Sequence, residues 1–168
     1  MPAPRDPSGP YRVCFVCLGN ICRSPMAEVV ARAKLAEAGL ADSVAVDSAG
    51  TGDWHVGAQM YQAARRQLAE SGYDGSAHRA RQFRPSWLAE RDLVLAMDAN
   101  NLAALNRYSR NDADHRIRLF GEVAGLGGAD IPDPYGAGPA EFARVLGMLE
   151  SGMARLVSAL GSRTGQRA

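Results

Sequence analysis

Apolar positions recur along the chain with two spacings, so that short β-rich runs alternate with stretches of helical pattern. The mostly apolar run at residues 11–17, bounded by Pro10 and Gly19, predicts a buried strand. Three more strands are predicted, at residues 44–46, 91–97 and 117–120. Helical patterns that each follow a strand predict helices at residues 24–38, 58–71, 99–107 and 140–160, with a loop over residues 121–139.

This alternation predicts an α/β fold: a single doubly wound domain with a four-stranded parallel sheet and helices on both faces. We expect the domain to cover residues 11–161, because no internal repeat or linker interrupts it. A Pro-, Gly- and Ser-rich stretch at residues 1–10 predicts a disordered leader, and polar residues 162–168 predict a flexible tail. In folds of this class, ligands bind beyond the carboxyl ends of the strands.

Composition and charge narrow the class of protein. The 168 residues are 46% hydrophobic and 22% charged, which is typical of a globular domain with a real core. A formal net charge of +1 argues against a nucleic-acid binder, and no apolar run approaches the ~20 residues of a membrane span. The cysteines Cys14, Cys17 and Cys22 are odd in number and crowded, so we expect a cytoplasmic protein rather than a secreted disulfide framework.

Residues 17–24, with the sequence C-L-G-N-I-C-R-S, join the first predicted strand to the first predicted helix. A helix N-terminus attracts an anion; Gly19 leaves the backbone N–H groups open, and Asn20 tolerates a left-handed conformation. Arg23 offers a planar fork that matches two phosphate oxygens. The same amides would stabilise Cys17 as a thiolate, which could attack phosphorus and form a cysteinyl-phosphate.

The residues alone allow other interpretations of this segment. Arginine is frequent here, since Lys34 is the only lysine among 19 basic residues, so a cysteine–arginine spacing could mark a turn without chemistry. A lysine-ended nucleotide loop is excluded because Lys34 lies inside a helical pattern. Zinc is disfavoured because Cys14 and Cys17 should face opposite sides of a strand, and we expect no metal and no cofactor.

Residues 17–24 resemble the phosphate loop of low-molecular-weight protein tyrosine phosphatases. Four further segments resemble motifs of that family in the same order: D-S-A-G-T at 47–51 with Trp54, H-R-A-R-Q at 78–82, M-D-A-N-N-L at 97–102, and P-D-P-Y at 132–135. The resemblance covers roughly residues 13–160. It implies a protein-tyrosine-phosphatase that hydrolyses phosphotyrosine in proteins through a cysteinyl-phosphate.

The resemblance also implies roles for the matching residues. Cys17 would be the nucleophile, Arg23 the phosphate clamp, and Asp133 the acid that protonates the leaving group and then the base that activates water. From the residues alone, other carboxylates compete for that acid role: Asp53, Asp98 and Asp130. The phosphate would be surrounded by Leu18, Gly19, Asn20, Ile21, Cys22 and Ser24. Loop support would come from Asn20, Ser24 and His78, and the substrate pocket would be walled by Trp54 and Tyr135.

Gly136 and Cys22 each bear on the implied site without a settled role in the sequence. Gly136 follows Tyr135 where many relatives carry a second aromatic residue, which puts in doubt how closely the outer pocket grips an aromatic substrate. Cys22 is interpreted either as the partner of Cys17 in a reversible disulfide or as a small apolar filler.

Three alternative functions share this scaffold or this site. An arsenate reductase would need cysteines downstream of Cys22, and the chain has none. A phosphoarginine phosphatase typically has threonine at the position of Ile21. A non-catalytic phosphotyrosine-binding module would lack the nucleophile or the acid. The expected partners are phosphotyrosine-containing proteins, with a tyrosine kinase as a further candidate; the expected state is a monomer that binds neither nucleic acid nor membrane.

Overall fold

The computed structural model describes residues 1–109 and 115–165. Its sheet contains β1 (Tyr11–Cys17), β2 (Val44–Gly50), β3 (Leu93–Ala96) and β4 (Ile117–Leu119), paired in parallel in the order β2-β1-β3-β4. The helices are α1 (Arg23–Glu37), α2 (Gln62–Glu70), α3 (Ala99–Asn106), α4 (Phe120–Val123) and α5 (Pro139–Thr164), with a 3₁₀-helix at Pro85–Ala89. The predicted four-stranded parallel sheet is confirmed.

Strand β1 lies inside the sheet and sends alternate side chains to two apolar clusters. Phe15 and Cys17 belong to the larger cluster, which includes side chains of α1, α2 and α5. Cys14 and Val16 belong to the smaller cluster, which includes Leu105 of α3. Helices therefore cover both faces of the sheet, as predicted, and Cys14 and Cys17 do lie on opposite faces.

The strand order creates a crevice at the carboxyl end of the sheet. From β1 the chain passes through α1 to β2 on one side, and the later strands β3 and β4 are added on the other side. The direction of winding therefore reverses between β1 and β3, the position where doubly wound folds bind ligands. Cys17 ends β1, and Asp98 follows β3 by two residues, so both lie at this crevice.

Several element boundaries differ from the prediction because backbone groups there bond to distant segments. Helix α2 begins at Gln62 rather than near residue 58, since the N–H of Tyr61 donates to the Ile21 carbonyl and the Ala58 carbonyl accepts from the Ala80 N–H. Strand β2 extends to Gly50 because it pairs with β1 along its full length. Helix α4 and the 3₁₀-helix were not predicted.

The structure corrects the expectation of a disordered leader at residues 1–10. The main-chain N–H of Arg5 donates to the Asp92 carboxylate at 2.5 Å, and its guanidinium donates to the Leu88 carbonyl. The hydroxyl of Tyr11 donates to the carbonyl of Pro2 at 3.2 Å. The segment therefore lies against the amino end of β3, held by polar contacts that its composition did not reveal.

The carboxyl end also differs from the prediction. Helix α5 continues to Thr164, past the expected end of the domain at residue 161, and residues 166–168 of the predicted tail lie outside the described residues. Within residues 1–109 and 115–165, no helix is both long enough and apolar enough to cross a membrane.

Candidate active site

The 17–24 loop runs from the end of β1 into the first turn of α1. Asn20 has φ = 56°, the one left-handed non-glycine residue in the described part of the chain, and asparagine tolerates that conformation better than most residues. Loop carbonyls accept hydrogen bonds from surrounding elements, including Thr51 N–H to Cys17 O at 2.9 Å and Tyr61 N–H to Ile21 O at 2.9 Å. Because the carbonyls are engaged from outside, the loop N–H groups are left to form an anion-binding nest.

Asn20 ties this loop to two distant segments, β2 and residues 78–81. Its side-chain NH₂ donates to the hydroxyl of Ser24 at 2.9 Å and to that of Ser48, in β2, at 3.0 Å. Its side-chain oxygen accepts from the main-chain N–H of Arg81 at 2.9 Å. The Asn20 carbonyl accepts from His78 Nε2 at 2.7 Å, which requires that nitrogen to carry the proton. The side-chain amide is fully buried and fully hydrogen-bonded, so the loop conformation is fixed from beneath.

Cys17 Sγ lies at the floor of the site, 3% exposed. It accepts a hydrogen bond from the Asn20 N–H at 3.3 Å and lies 2.9 Å from Ser24 Oγ. Ser24 Oγ also lies 3.2 Å from the Ala49 carbonyl. Since a hydroxyl carries one proton, Ser24 can direct it either to the Cys17 sulfur or to that carbonyl.

Arg23 is almost fully buried beside this sulfur. Its NH1 group donates to Asp98 Oδ2 at 2.5 Å and to the Ile131 carbonyl at 3.1 Å, and its NH2 group lies 3.6 Å from Asp133 Oδ2. Burial by itself would lower the pKa of Arg23, but the charge of Cys17 and the hydrogen bond to Asp98 outweigh it, so the pKa is raised. The guanidinium is therefore held in its charged form, and N–H groups beyond NH1 remain to bind an anion.

A pocket of about 180 Å³ opens above Cys17 and Arg23. Its rim carries exposed apolar side chains: Leu18 is 44% exposed, Trp54 69% and Tyr135 56%. An apolar cavity of roughly 150 Å³ holds one benzene ring, so this pocket has room for about one aromatic ring.

Among the described residues that line this pocket, Asp133 is the one with a carboxylate side chain. The competing carboxylates are placed elsewhere: Asp98 pairs with Arg23, and Asp130 accepts a hydrogen bond from the Ala99 N–H at 3.1 Å. Asp53 is exposed and does not line the pocket. Of the four candidate carboxylates, Asp133 is therefore the one that lines the pocket.

The structure brings most of the predicted site residues together, in two layers. The upper layer lines the pocket and contains Cys17, Leu18, Gly19, Ile21, Cys22, Arg23, Trp54, Asp133 and Tyr135. The lower layer does not line it and contains Asn20, Ser24 and His78, which act through hydrogen bonds within the loop. Asn20 and Ser24 are predicted both as phosphate-binding and as loop-support residues, and their side chains lie in the supporting layer.

Sequence reasoning missed several members of the site. Asp98 was considered only as an acid, although it holds Arg23, and His55 lines the pocket next to Trp54. Gly50 was not singled out: a Cβ there would lie 2.7 Å from the Leu18 carbonyl and 3.1 Å from the Asn20 nitrogen. Gly50 and Asp98 lie in the D-S-A-G and M-D-A-N-N-L segments, so the sequence motifs contained them. The motifs do not show which residues they contact, and their roles follow from those contacts.

Two titratable groups, the buried Cys22 and the half-buried His78, have shifted pKa values at the 17–24 loop. Burial raises the pKa of Cys22, and the negative charges of Cys17 and Asp133 raise it further. Cys22 is therefore a neutral thiol. Burial lowers the pKa of His78, against the opposing effects of its bond to the Asn20 carbonyl and of Glu28. Glu28 accepts from the Ser48 hydroxyl at 2.5 Å, which links it to the Asn20 network.

Comparisons with known proteins agree with this fold. The family described as low molecular weight phosphotyrosine protein phosphatase matches residues 12–166. A low molecular weight protein-tyrosine-phosphatase of Streptomyces coelicolor is 47% identical over 162 residues, which cover 94% of this chain and 98% of the relative. The crystal structure of YfkJ from Bacillus subtilis superimposes with a TM-score of 0.86 at 31% identity, covering 94% of this chain and 99% of that one.

A protein tyrosine phosphatase of Entamoeba histolytica, solved with Hepes in its active site, gives a TM-score of 0.86 at 30% identity, covering 92% of this chain and 99% of that one. Fold and relatives together define an enzyme of the protein-tyrosine-phosphatase class of hydrolases. The chain belongs to the low molecular weight phosphotyrosine protein phosphatase family, which confirms the resemblance drawn from its motifs.

Proposed function

We propose that the protein hydrolyses phosphotyrosine in protein substrates through a cysteinyl-phosphate on Cys17. The observation that carries this proposal is the position of Cys17 Sγ, 3.3 Å from the Asn20 N–H and 2.9 Å from the Ser24 hydroxyl, beneath a pocket that also exposes Arg23. These donors stabilise negative charge on the sulfur without having to reorganise.

In the first step the phosphoryl group of the substrate lies in the 17–24 loop, with the Arg23 guanidinium on its oxygens. The Cys17 sulfur attacks phosphorus, so that a P–S bond forms while the P–O bond to the tyrosine breaks. Asp133, at the mouth of the pocket, donates its proton to the departing phenolic oxygen. General acid catalysis of this kind contributes about 10²–10⁴-fold in rate.

In the second step Asp133, now a carboxylate, takes a proton from a water molecule whose oxygen attacks phosphorus. The P–S bond breaks, inorganic phosphate leaves, and the sulfur departs as a thiolate. Ser24 assists by turning its hydroxyl proton from the Ala49 carbonyl, at 3.2 Å, toward the sulfur, at 2.9 Å. Both steps use the residues already in place and need no metal or other cofactor.

The pocket favours an aromatic phosphate ester over other substrates. Trp54 and Tyr135 offer ring faces at the rim, where a phenyl ring gains contacts that a phosphoserine side chain does not supply. The lack of cysteines after Cys22 disfavours an arsenate reductase, and Ile21 disfavours a phosphoarginine phosphatase. We infer a monomeric cytoplasmic enzyme, with phosphotyrosine proteins and a tyrosine kinase as candidate partners.

The test is a panel of matched peptides carrying phosphotyrosine, phosphoserine or phosphoarginine, together with arsenate and a thiol reductant. We expect turnover of the phosphotyrosine peptide by the wild type and none by Cys17→Ser. Cys14→Ala is the matched control, because Cys14 is buried on the opposite face of β1, and it should keep the activity. Turnover that survives Cys17→Ser contradicts the nucleophile assignment, and tight phosphotyrosine binding without turnover favours the binding-module alternative.

The acid role of Asp133 has a separate test. Asp133→Ala should reduce kcat/KM for phenyl phosphate, which has a poor leaving group, far more than for p-nitrophenyl phosphate, whose phenolate leaves without protonation. Equal losses on both esters would reject Asp133 as the acid while leaving the role of Cys17 intact.

A further inference from the structure

Asp133 is held on its amino side by Ile131, which is fully buried and whose N–H donates to the Met97 carbonyl at 2.8 Å, but the residues after Pro134 have few side chains to hold them in place. Residues 135–138 read Y-G-A-G and are all exposed, so Tyr135 contributes the one side chain larger than a methyl group. Gly136 has φ = 77°, a conformation that does not itself restrict a glycine. On the carboxyl side of Asp133, the placement of the chain therefore depends on what the Tyr135 ring contacts, which are the rings of Tyr61 and, at 6.3 Å, His55.

The position of Tyr135 is coupled to that of the carboxylate. The Tyr135 main-chain N–H donates to Asp133 Oδ1 at 3.1 Å, which leaves Oδ2 to face the pocket, 3.6 Å from the Arg23 guanidinium. A shift of Tyr135 would therefore reorient the carboxylate.

The Tyr135 ring packs on Tyr61, which precedes α2. The two ring centroids lie 4.9 Å apart with an interplanar angle of 42°, within the range of favourable aromatic pairs. On its other side Tyr61 packs on Phe142 of α5, with centroids 5.9 Å apart. Its main-chain N–H donates to Ile21 O at 2.9 Å. Tyr61 thus contacts the 17–24 loop, α5 and the segment that carries Asp133.

We propose that Tyr61 is a positioning residue for the acid Asp133. It acts through the ring of Tyr135, takes the place of a second aromatic residue in the Y-G-A-G segment, and does not line the substrate pocket. The inference rests on the proposed function, since it assumes that Asp133 protonates the leaving group. It concerns the ring alone, because no described residue accepts from or donates to the Tyr61 hydroxyl.

The experiment compares kcat/KM for phenyl phosphate and p-nitrophenyl phosphate in Tyr61→Ala and Tyr61→Phe. We expect Tyr61→Ala to lose roughly two- to tenfold more on phenyl phosphate than on the nitrophenyl ester, the size of one aromatic contact. Tyr61→Phe keeps the ring and should lie within about twofold of the wild type on both. Tyr61→Leu, which keeps apolar volume but no ring, should behave like Tyr61→Ala and serves if the alanine variant does not fold.

Tyr73→Ala is the matched control for a merely structural loss. Tyr73 is also half-buried and also contacts α5, through a 2.8 Å hydrogen bond to Glu150, but no contact joins it to Asp133 or Tyr135 among the described residues. We expect Tyr73→Ala to alter stability without changing the ratio of the two rates.

Combining Tyr61→Ala with Asp133→Ala shows whether a failed prediction concerns the role of Tyr61 or the acid role of Asp133. If Tyr61 acts through the acid, Tyr61→Ala should cause no additional ester-selective loss in the Asp133→Ala background. Equal losses on both esters, or a selective loss that persists without the acid, would overturn the role of Tyr61. If Asp133→Ala itself shows no preference between the esters, the acid assignment in the proposed function fails first.

Discussion

Asp98 holds Arg23 with one carboxylate oxygen and caps helix α3 with the other. Oδ2 accepts from Arg23 NH1 at 2.5 Å, while Oδ1 accepts from the Asn101 N–H at 2.8 Å. Because α3 follows β3 and Arg23 begins α1 beside β1, this carboxylate joins the two sides of the crevice. The orientation of the proposed phosphate clamp is therefore fixed by a residue that does not line the pocket.

Asparagine and alanine at this position should separate the two roles of Asp98. Asp98→Asn keeps a good helix N-cap but loses the charged partner of Arg23, so we expect kcat/KM to fall about tenfold, the size of one charge-assisted hydrogen bond. Asp98→Ala should add a loss of about 1 kcal/mol in the free energy of unfolding. Steady-state kinetics and urea unfolding measure the two effects. An Asp98→Asn variant with unchanged kcat/KM and unchanged inhibition by vanadate would contradict the orienting role.

Gly50 should tolerate no side chain. A Cβ there would lie 2.7 Å from the Leu18 carbonyl, so Gly50→Ala must displace the 17–24 loop or the end of β2. We expect at least a tenfold loss of kcat/KM, since misplacement of catalytic groups by about 1 Å can cost roughly a hundredfold. Gly147→Ala is the control: it lies in α5 with no atom near a Cβ, and alanine should stabilise that helix by about 1 kcal/mol. Full activity in Gly50→Ala would show that the close approach does not shape the site.

His78 should make stability fall on mild acidification. Its pKa in the folded protein is lowered from 6.5, chiefly by burial, so above pH 6.5 both folded and unfolded chains hold it neutral. As the pH falls below 6.5 the unfolded chain binds a proton that the folded chain resists, and the free energy of unfolding decreases. Urea unfolding between pH 7.5 and 5.5 should show a smaller decrease for His78→Gln than for the wild type. The same pH dependence in both proteins would rule out this contribution.

Cys22 should protect Cys17 from irreversible oxidation. Peroxide converts the Cys17 thiolate to a sulfenic acid with loss of hydroxide; the Cys22 sulfur then displaces water from it, and a disulfide forms. The raised pKa of Cys22 keeps it a neutral thiol, which leaves Cys17 as the first target. After peroxide and then dithiothreitol, activity should return more fully in the wild type than in Cys22→Ser, with Cys14→Ala behaving as the wild type. Identical recovery in wild type and Cys22→Ser would identify Cys22 as a packing residue.

The parts of the fold that sequence reasoning placed well are those with local signals. Strand β1 matched its predicted range because seven apolar and β-prone residues lie between Pro10 and Gly19. The start of α2 was wrong because the Tyr61 amide bonds to Ile21, about forty residues away in the chain, and no periodicity encodes that contact. The leader was wrong for the same reason, since its partner Asp92 lies in another part of the sequence.

In the candidate site, too, local sequence signals predicted some residues, while long-range contacts determine the roles of others. The residue types of the 17–24 loop indicate an anion nest by their own chemistry, and the structure assembles them. Asp133 could not be chosen from the residues alone, because four aspartates had the required chemistry and only the fold decides which one reaches the pocket. Asp98 is the clearest case: its role depends on the adjacency of β1 and β3.

Because of the hydrogen bonds of Asn20, enzymatic activity can serve as a measure of how much of the protein is folded. The shape of the loop depends on contacts with β2, α1 and residues 78–81, which are separated along the chain and come together only in the folded protein. A fragment without β2 or residues 78–81, or a partly denatured species, would contain the reactive sulfur but would not keep the 17–24 loop in its native conformation. Turnover of a chromogenic ester should therefore report the native population, and its denaturation midpoint should coincide with that seen by circular dichroism.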